Sequence, residues 1–205
     1  MACSLAHEDD LRARGFDFVA GIDEAGRGPL AGPVVAAAVI LPAGFRHDSL
    51  NDSKQLGERA RESIYAELTA NRDVLWSLAI VESDEIDRLN ILRATHEAMR
   101  RAVALLDPRP QHVLIDGLQV NPFPVPQTAL VGGDALSFSI AAASVIAKVT
   151  RDRLMVEMDA RHPGYDFARH KGYGTPQHLA ALKKNGPCPI HRRTFLPVRQ
   201  SELAL

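Results

Sequence analysis

Cysteine is scarce in this chain. Cys3 and Cys188 are the only two among 205 residues, they stand near opposite ends, and neither belongs to a Cys-x-x-C pair. This number is too small for a disulfide framework and is typical of proteins in a reducing compartment. We therefore expect a cytoplasmic protein.

Long hydrophobic runs are also lacking. The most apolar stretch, residues 33–41, is too short to span a bilayer and is bounded by proline. The first ten residues turn acidic where a signal peptide would need an apolar run. The sequence therefore predicts neither export nor a membrane role.

An overall excess of charge is absent, because the formal net charge is -1. The distribution is nevertheless uneven: residues 161–199 hold eight Lys or Arg against the single acid Asp166, a local +7 that leaves -8 for the rest. A basic segment on an acidic body is typical of phosphate binding, and an ordinary solvated surface is the alternative.

The pattern of apolar residues predicts an α/β protein with a mixed central sheet flanked by helices. Strands are expected at residues 16–22, 34–41, 74–81, 112–116 and 128–131. Helices are expected at 58–70, with Ser53 as a capping residue, at 83–105 with a break near Asn90, at 140–160 and at 176–184. We predict one catalytic domain, residues 1–160, and a basic helical C-terminal extension, residues 161–205, packed on it.

Acidic residues follow three of these predicted strands. Asp23 and Glu24 follow Ile22, Asp116 follows Ile115, and Asp134 follows a glycine pair. Ligand sites of α/β sheets lie at such strand ends, and clustered carboxylates suit Mg²⁺ or Mn²⁺. An isolated acid of this kind is more often a turn or helix cap. Adjacent strand residues also face opposite ways, so Asp23 and Glu24 share one ion only if the backbone turns there.

A glycine-rich loop follows the first acidic pair. Residues 26–31, Gly-Arg-Gly-Pro-Leu-Ala, fit a loose dinucleotide-binding fingerprint, with Asp48 about 20 residues farther on. That fingerprint requires a helix after the glycines, whereas Pro29 and Pro33 lead into a predicted strand. We predict instead that Gly26, Arg27 and Gly28 approach the sugar and phosphate of a nucleic acid.

An aromatic residue stands between two glycines near the C-terminus. Tyr173 lies in His-Lys-Gly-Tyr-Gly-Thr, residues 170–175, beside a positive pair. Such a ring could stack on a base or sugar, or it could pack the loop against the core.

These segments together resemble type 2 ribonuclease H, the bacterial ribonuclease HII family. The resemblance covers about residues 16–198. The motifs that carry it occur in the family's order at residues 21–34, 51–54, 114–117, 133–134, 139–152 and 170–175.

The resemblance implies an RNase H-like fold and a metal site that binds Mn²⁺ or Mg²⁺ through four acids. It assigns Asp23, Glu24, Asp116 and Asp134 to the metal. It assigns the ribose 2′-hydroxyl to Gly26, Arg27 and Gly28, sugar stacking to Tyr173, and phosphate or structural roles to Lys54, Ser139 and Lys148.

The resemblance also implies the reaction. Family members hydrolyse the RNA strand of RNA–DNA hybrids and incise 5′ to single ribonucleotides in duplex DNA, leaving a 3′-hydroxyl and a 5′-phosphate. A catalytically silent hybrid-binding module is the alternative. One departure is visible, because Leu136 stands where the family usually has Lys. We expect a monomer, and the sequence leaves the question of protein partners open.

Overall fold

The structure, a computed structural model, describes residues 3–50 and 56–203. A five-stranded mixed sheet forms the centre of the fold, as predicted, and its strand order is β3-β2-β1-β4-β5. Strands β1, β2 and β3 are antiparallel neighbours, whereas β4 and β5 run parallel to β1. The strands are β1 (Val19–Ala25), β2 (Val34–Ile40), β3 (Leu75–Val81), β4 (His112–Asp116) and β5 (Gln127–Leu130).

Helices cover both faces of this sheet and form most of the C-terminal part. They are α1 (Ala6–Ala13), α2 (Glu58–Ala70), α3 (Ser83–Leu89), α4 (Ile91–Ala104), α5 (Phe138–Arg161), α6 (Phe167–His170), α7 (Pro176–Asn185) and α8 (Leu196–Leu203). A short 3-10 helix, Gly133–Ala135, precedes α5.

Strand β2 lies in the interior of the sheet, and all seven of its residues are buried. Its alanines leave room for helices on both faces, because they project little beyond the backbone. Ala20, Ile22 and Ile115 pack on one face with the α4 residues Ala94 and Ala98. On the other face the α2 and α5 side chains pack against Val35, Ala37 and Val39.

Helix α5 approaches β1 unusually closely. A Cβ atom added at Gly21 would lie 2.2 Å from the backbone nitrogen of Ile140 and from the carbonyl carbon of Ser139. Glycine is therefore required at position 21, because any side chain would push the helix away from the strand. This contact brings the N-terminal turn of α5 next to the acids of β1.

Several predicted boundaries need correction. Strand β1 begins at Val19 rather than residue 16 and continues through Ala25, because the ladder with β2 includes the acidic residues. The N-cap of α2 is Gly57, not Ser53, which lies outside the described residues. The predicted break at Asn90 is confirmed: its φ is +69°, and its side chain accepts a hydrogen bond from the Arg93 amide.

Residues after Arg161 contact both α5 and the glycine-rich loop. Tyr165 and Phe167 form a buried cluster with Met155 of α5 and with Ala31. The backbone of Ala31 also forms a β-bridge with His191. Within residues 3–50 and 56–203, no helix has the length and apolar character needed to cross a bilayer.

Candidate active site

Three acids from separate parts of the chain converge at one end of the sheet. Strands β1 and β4 are parallel with Ile22 opposite Ile115, so Asp23 and Asp116 follow side by side on the face covered by α5. The 3-10 helix supplies Asp134, and one oxygen of each acid lies within 4.8 Å of the other two. Asp116 Oδ1 accepts a 2.7 Å hydrogen bond from the Gly133 amide, which ties β4 to the segment that carries Asp134.

Glu24 lies beside this group but not within it. The ladder continues to the pair Ala25–Val35, so the backbone does not turn between Asp23 and Glu24 and their side chains leave opposite faces. The Glu24 carboxylate forms an ion pair of 3.1 Å with Arg27. Glu24 still lines the same pocket as Asp23 and Asp116. Its role as a fourth metal ligand stays a prediction.

The clustered carboxylates are electrostatically strained. Burial, together with the charges of Glu24 and Asp116, raises the pKa of Asp23 well above its ordinary value. Burial also raises the pKa of Glu24, an effect that the Arg27 guanidinium opposes. A cation would relieve this repulsion, and three carboxylate oxygens at this spacing are hard ligands that suit Mg²⁺ or Mn²⁺. The donor set therefore fits a divalent ion.

The acids open into a cavity of about 260 Å³ that is bordered by positive side chains. Lys148 of α5, Arg61 of α2 and Arg27 lie on its wall. Lys148 also forms a 2.7 Å ion pair with Asp152. A pocket that combines carboxylates with cations can hold a metal ion and a phosphate group together.

The glycine-rich loop forms another wall of the cavity. A Cβ atom at Gly26 would lie 2.1 Å from Arg151 Nε, and the Gly26 φ of +99° suits glycine alone. The chain then enters β2 at Val34, with no helix after the glycines. The dinucleotide-binding alternative is therefore excluded, because the helix N-terminus that would receive a diphosphate is missing at this position.

Tyr173 stands at the mouth of the cavity, and 44% of its surface is exposed. Its ring lies 3.6 Å from the position of a Cβ atom at Gly28. Its carbonyl accepts a 2.9 Å hydrogen bond from His178 Nδ1, which fixes the backbone of the loop. A half-exposed ring whose backbone is held in this way is suited to stacking.

Two expected substrate contacts have a different outcome. Ser139 has no exposed surface, and its amide and hydroxyl both donate to the buried Glu8 carboxylate. Ser139 therefore serves the N-terminal turn of α5, which is the structural one of its two expected roles, and its contact with a substrate stays a prediction. Lys54 lies outside the described residues. Leu136 is not part of the cavity wall.

Two further residues of this site escaped the sequence analysis. The Ser144 hydroxyl hydrogen-bonds to Asp23 and lowers its pKa, against the larger effect of burial. Arg61 reaches the cavity from α2. Ser144 belongs to the small-residue run of α5, a pattern that indicates close packing and not a polar contact. The sequence offers no signal for Arg61, which resembles any solvated helix residue.

Fold and site together define a class of protein: the divalent-metal-dependent ribonucleases with the RNase H-like fold. A sequence model of the family described as Ribonuclease HII matches residues 20–198. This chain belongs to the ribonuclease HII family, whose members cleave RNA in RNA–DNA hybrids.

Similar proteins agree with this assignment. The chain is 55% identical over 196 residues to ribonuclease HII of Geobacillus kaustophilus, which covers 96% of this chain and 75% of that protein. It is 53% identical over 197 residues to ribonuclease HII of Anaeromyxobacter, with 96% of this chain but 62% of that relative covered. The chain thus spans about three fifths of one relative and three quarters of the other.

Solved structures with the same fold include two relevant neighbours. Ribonuclease H2 from Pyrococcus horikoshii superposes with a TM-score of 0.77 at 29% identity, covering 91% of this chain and 98% of that one. Bst-RNase HIII, solved in complex with Mn²⁺, superposes with a TM-score of 0.72 over 95% of this chain and 72% of its own. At 17% identity, the second likeness shows the fold alone.

Proposed function

We propose that this protein is an endoribonuclease that hydrolyses the RNA strand of RNA–DNA hybrids. We further propose that it incises 5′ to single ribonucleotides embedded in duplex DNA, leaving a 3′-hydroxyl and a 5′-phosphate. The convergence of Asp23, Asp116 and Asp134 within 4.8 Å carries the proposal. A silent hybrid-binding module would have no use for three buried or half-buried carboxylates that repel one another.

The proposed mechanism depends on these acids as ligands of Mg²⁺ or Mn²⁺, with Glu24 beside them. A divalent ion bound there would polarise the scissile phosphate and lower the pKa of an attacking water molecule. Lys148 and Arg61 supply positive charge on the wall of the same cavity, where phosphate oxygens would lie. The Ser144 hydroxyl keeps the Asp23 carboxylate oriented. Mn²⁺ is also the ion in the solved complex of Bst-RNase HIII, a protein that shares this fold.

Ribose recognition is assigned to the loop Gly26-Arg27-Gly28. The absence of side chains at positions 26 and 28 allows the backbone to approach a sugar closely. The Arg27 guanidinium is half exposed and held by Glu24, so it can reach a phosphate or the 2′-hydroxyl from a fixed position. Tyr173 would stack on the sugar where RNA passes into DNA, since its half-exposed side chain lines the same cavity.

The basic segment after Arg161 is proposed to extend the same domain and to bind the backbone phosphates of the substrate. Arg169, Lys183 and Lys184 are exposed, as this role requires. Cysteines 3 and 188 are both free, which is compatible with action in the cytoplasm. We propose that the protein acts there as a monomer.

A cleavage assay tests the proposed function. The protein is incubated with duplex DNA that carries one ribonucleotide, and separately with an RNA–DNA hybrid, in Mg²⁺, in Mn²⁺ and in chelator. We expect incision only with metal, and a loss of at least about 100-fold in Asp23→Asn, because the ion loses a charged ligand. Uncut substrates in all wild-type reactions would contradict the proposal.

A second variant separates ribose recognition from catalysis. Arg27→Ala keeps the acids and should retain metal-dependent cleavage, but it should discriminate less well between ribose and deoxyribose. Arg14→Ala, which removes an exposed arginine outside the cavity, is the matched control. Undiminished selectivity in Arg27→Ala would remove this residue from the ribose site.

A further inference from the structure

Arg192 is an arginine without exposed surface, although it belongs to the most basic part of the chain. Its guanidinium makes six hydrogen bonds of 2.6–3.2 Å, all to backbone carbonyl oxygens of the glycine-rich loop and of the two residues that follow it. Those carbonyls belong to Gly26, Arg27, Pro29, Gly32 and Pro33. One side chain from the C-terminal extension therefore fixes almost the entire loop.

The orientation of these peptides matters for the proposed site. The carbonyls of Gly26 and Arg27 point inward to Arg192, and the peptide planes therefore direct the amides of Arg27 and Gly28 the opposite way. The amides of Gly26, Arg27 and Gly28 donate no backbone hydrogen bond to any other described residue. Adjacent amides with free donors can bind an anion or a hydroxyl oxygen.

A second buried guanidinium supports the same loop. Arg151 of α5 donates from Nε to the Pro33 carbonyl at 2.9 Å and from Nη2 to the Ala31 carbonyl at 3.2 Å. Burial, and after it the charge of Arg151, lower the pKa of Arg192 to about 9, which leaves the guanidinium protonated at neutral pH. Two positive charges thus lie against the loop, and neither residue lines the cavity.

We propose that Arg192 is a positioning residue for ribose recognition: it holds the amides of Arg27 and Gly28 toward the substrate without touching the substrate itself. Arg192 is absent from the cavity wall, which agrees with an indirect role. The inference rests on the proposed function, since it concerns the same loop. It predicts that the 2′-hydroxyl selectivity of the enzyme depends on a buried residue of the extension.

The test compares two substrates that differ in one group. One duplex DNA carries a single ribonucleotide, and the other carries a 2′-fluoro nucleotide at that position, which keeps the size but loses the hydroxyl. For each enzyme, the ratio of kcat/KM on the two substrates is measured. This ratio does not depend on the fraction of folded enzyme, so a merely structural loss leaves it unchanged.

The wild-type enzyme should prefer the hydroxyl substrate by at least about tenfold, since a site that hydrogen-bonds a hydroxyl rejects analogues that lack it. In Arg192→Ala the ratio of kcat/KM on the two substrates should fall to about three or less. Arg192→Lys should lie between these values, because an ammonium group has three donors and no planar fork. Should the alanine variant fail to fold, the lysine variant decides.

Tyr165→Phe is the matched control in the same extension. It removes the 2.6 Å hydrogen bond from Tyr165 Oη to the Gly186 carbonyl but keeps the ring that packs with Ala31 of the loop. Its melting temperature should fall by about 2–4 °C while its selectivity ratio stays at the wild-type value. An unchanged ratio in both Arg192 variants, or a wild-type ratio near one, would overturn the inference. A wild-type enzyme that cuts neither substrate would instead contradict the proposed function.

Discussion

Removal of one carboxylate from the metal site should stabilise the metal-free protein. At an effective dielectric constant of about 20, two charges 4.8 Å apart repel by about 3 kcal/mol. Partial protonation and solvent screening reduce this value, so we expect Asp23→Asn to raise the free energy of unfolding by about 1–3 kcal/mol in chelator. The Asn carbonyl can still accept the 2.7 Å hydrogen bond from the Glu24 amide.

The metal should reduce this difference. At a metal concentration about ten times its dissociation constant, binding to the native state adds about 1.4 kcal/mol to the wild type. The Asn variant should gain much less, because it lacks a charged ligand. Urea unfolding at pH 7.5, with chelator and with Mg²⁺ or Mn²⁺, measures both effects.

Asp10→Asn makes the same chemical change at an exposed carboxylate that pairs with Arg14 at 3.5 Å. This control should differ from the wild type by less than about 0.5 kcal/mol and should keep the full metal response. The reasoning would be refuted if Asp23→Asn were less stable than the wild type in chelator. It would also be refuted if metal stabilised the Asp23→Asn variant as much as it stabilises the wild type.

Three other predictions concern the surroundings of the site. Burial lowers the pKa of His191 to about 4, below the ordinary 6.5, so its stabilising effect is complete above pH 6.5 and is lost as the pH falls toward 4. Between pH 7.5 and pH 4.5 the free energy of unfolding should fall by about 3 kcal/mol less in His191→Gln than in the wild type. Urea unfolding at the two pH values measures this, and an equal fall in both proteins would contradict it. Gly21→Ala should cost about 2–4 kcal/mol in urea unfolding, because the new Cβ would meet the α5 backbone at 2.2 Å, and an unchanged midpoint would be inconsistent with the packing. Tyr173→Ala should slow incision at single ribonucleotides by about 5–150-fold, as expected for a loss of 1–3 kcal/mol of stacking, whereas an unaltered rate would exclude the ring from the site.

The central sheet and the acids at its strand ends could be predicted from the sequence. Apolar runs that end in Asp23 and Asp116 carry both signals, because buried parallel strands and their terminal ligands are local features of the chain. The separation of Asp23 from Glu24 also follows from the alternation of side chains along a strand. Their relation to Asp134 depends on the packing of the 3-10 helix, which no local pattern specifies.

The roles of buried polar residues could not be predicted. Helix α1 was missed because its inward face carries Glu8, which has no exposed surface and accepts hydrogen bonds from Ser137 and Ser139. An amphipathic helix has apolar residues on its inward face, so a carboxylate at this position hides the helix from a search for that pattern. Arg192 raises the same difficulty: a count of charges treats it as part of a basic surface, whereas the fold buries it among carbonyl oxygens.

An anomalous difference map from crystals grown with Mn²⁺ would test directly whether the acids share an ion. We predict a peak between Asp23, Asp116 and Asp134, at about 2.1 Å from an oxygen of each carboxylate. The same crystals of Asp23→Asn should show a weaker peak or none. A wild-type map in which Mn²⁺ is ordered elsewhere, or in which these three carboxylates bind no ion, would contradict the account.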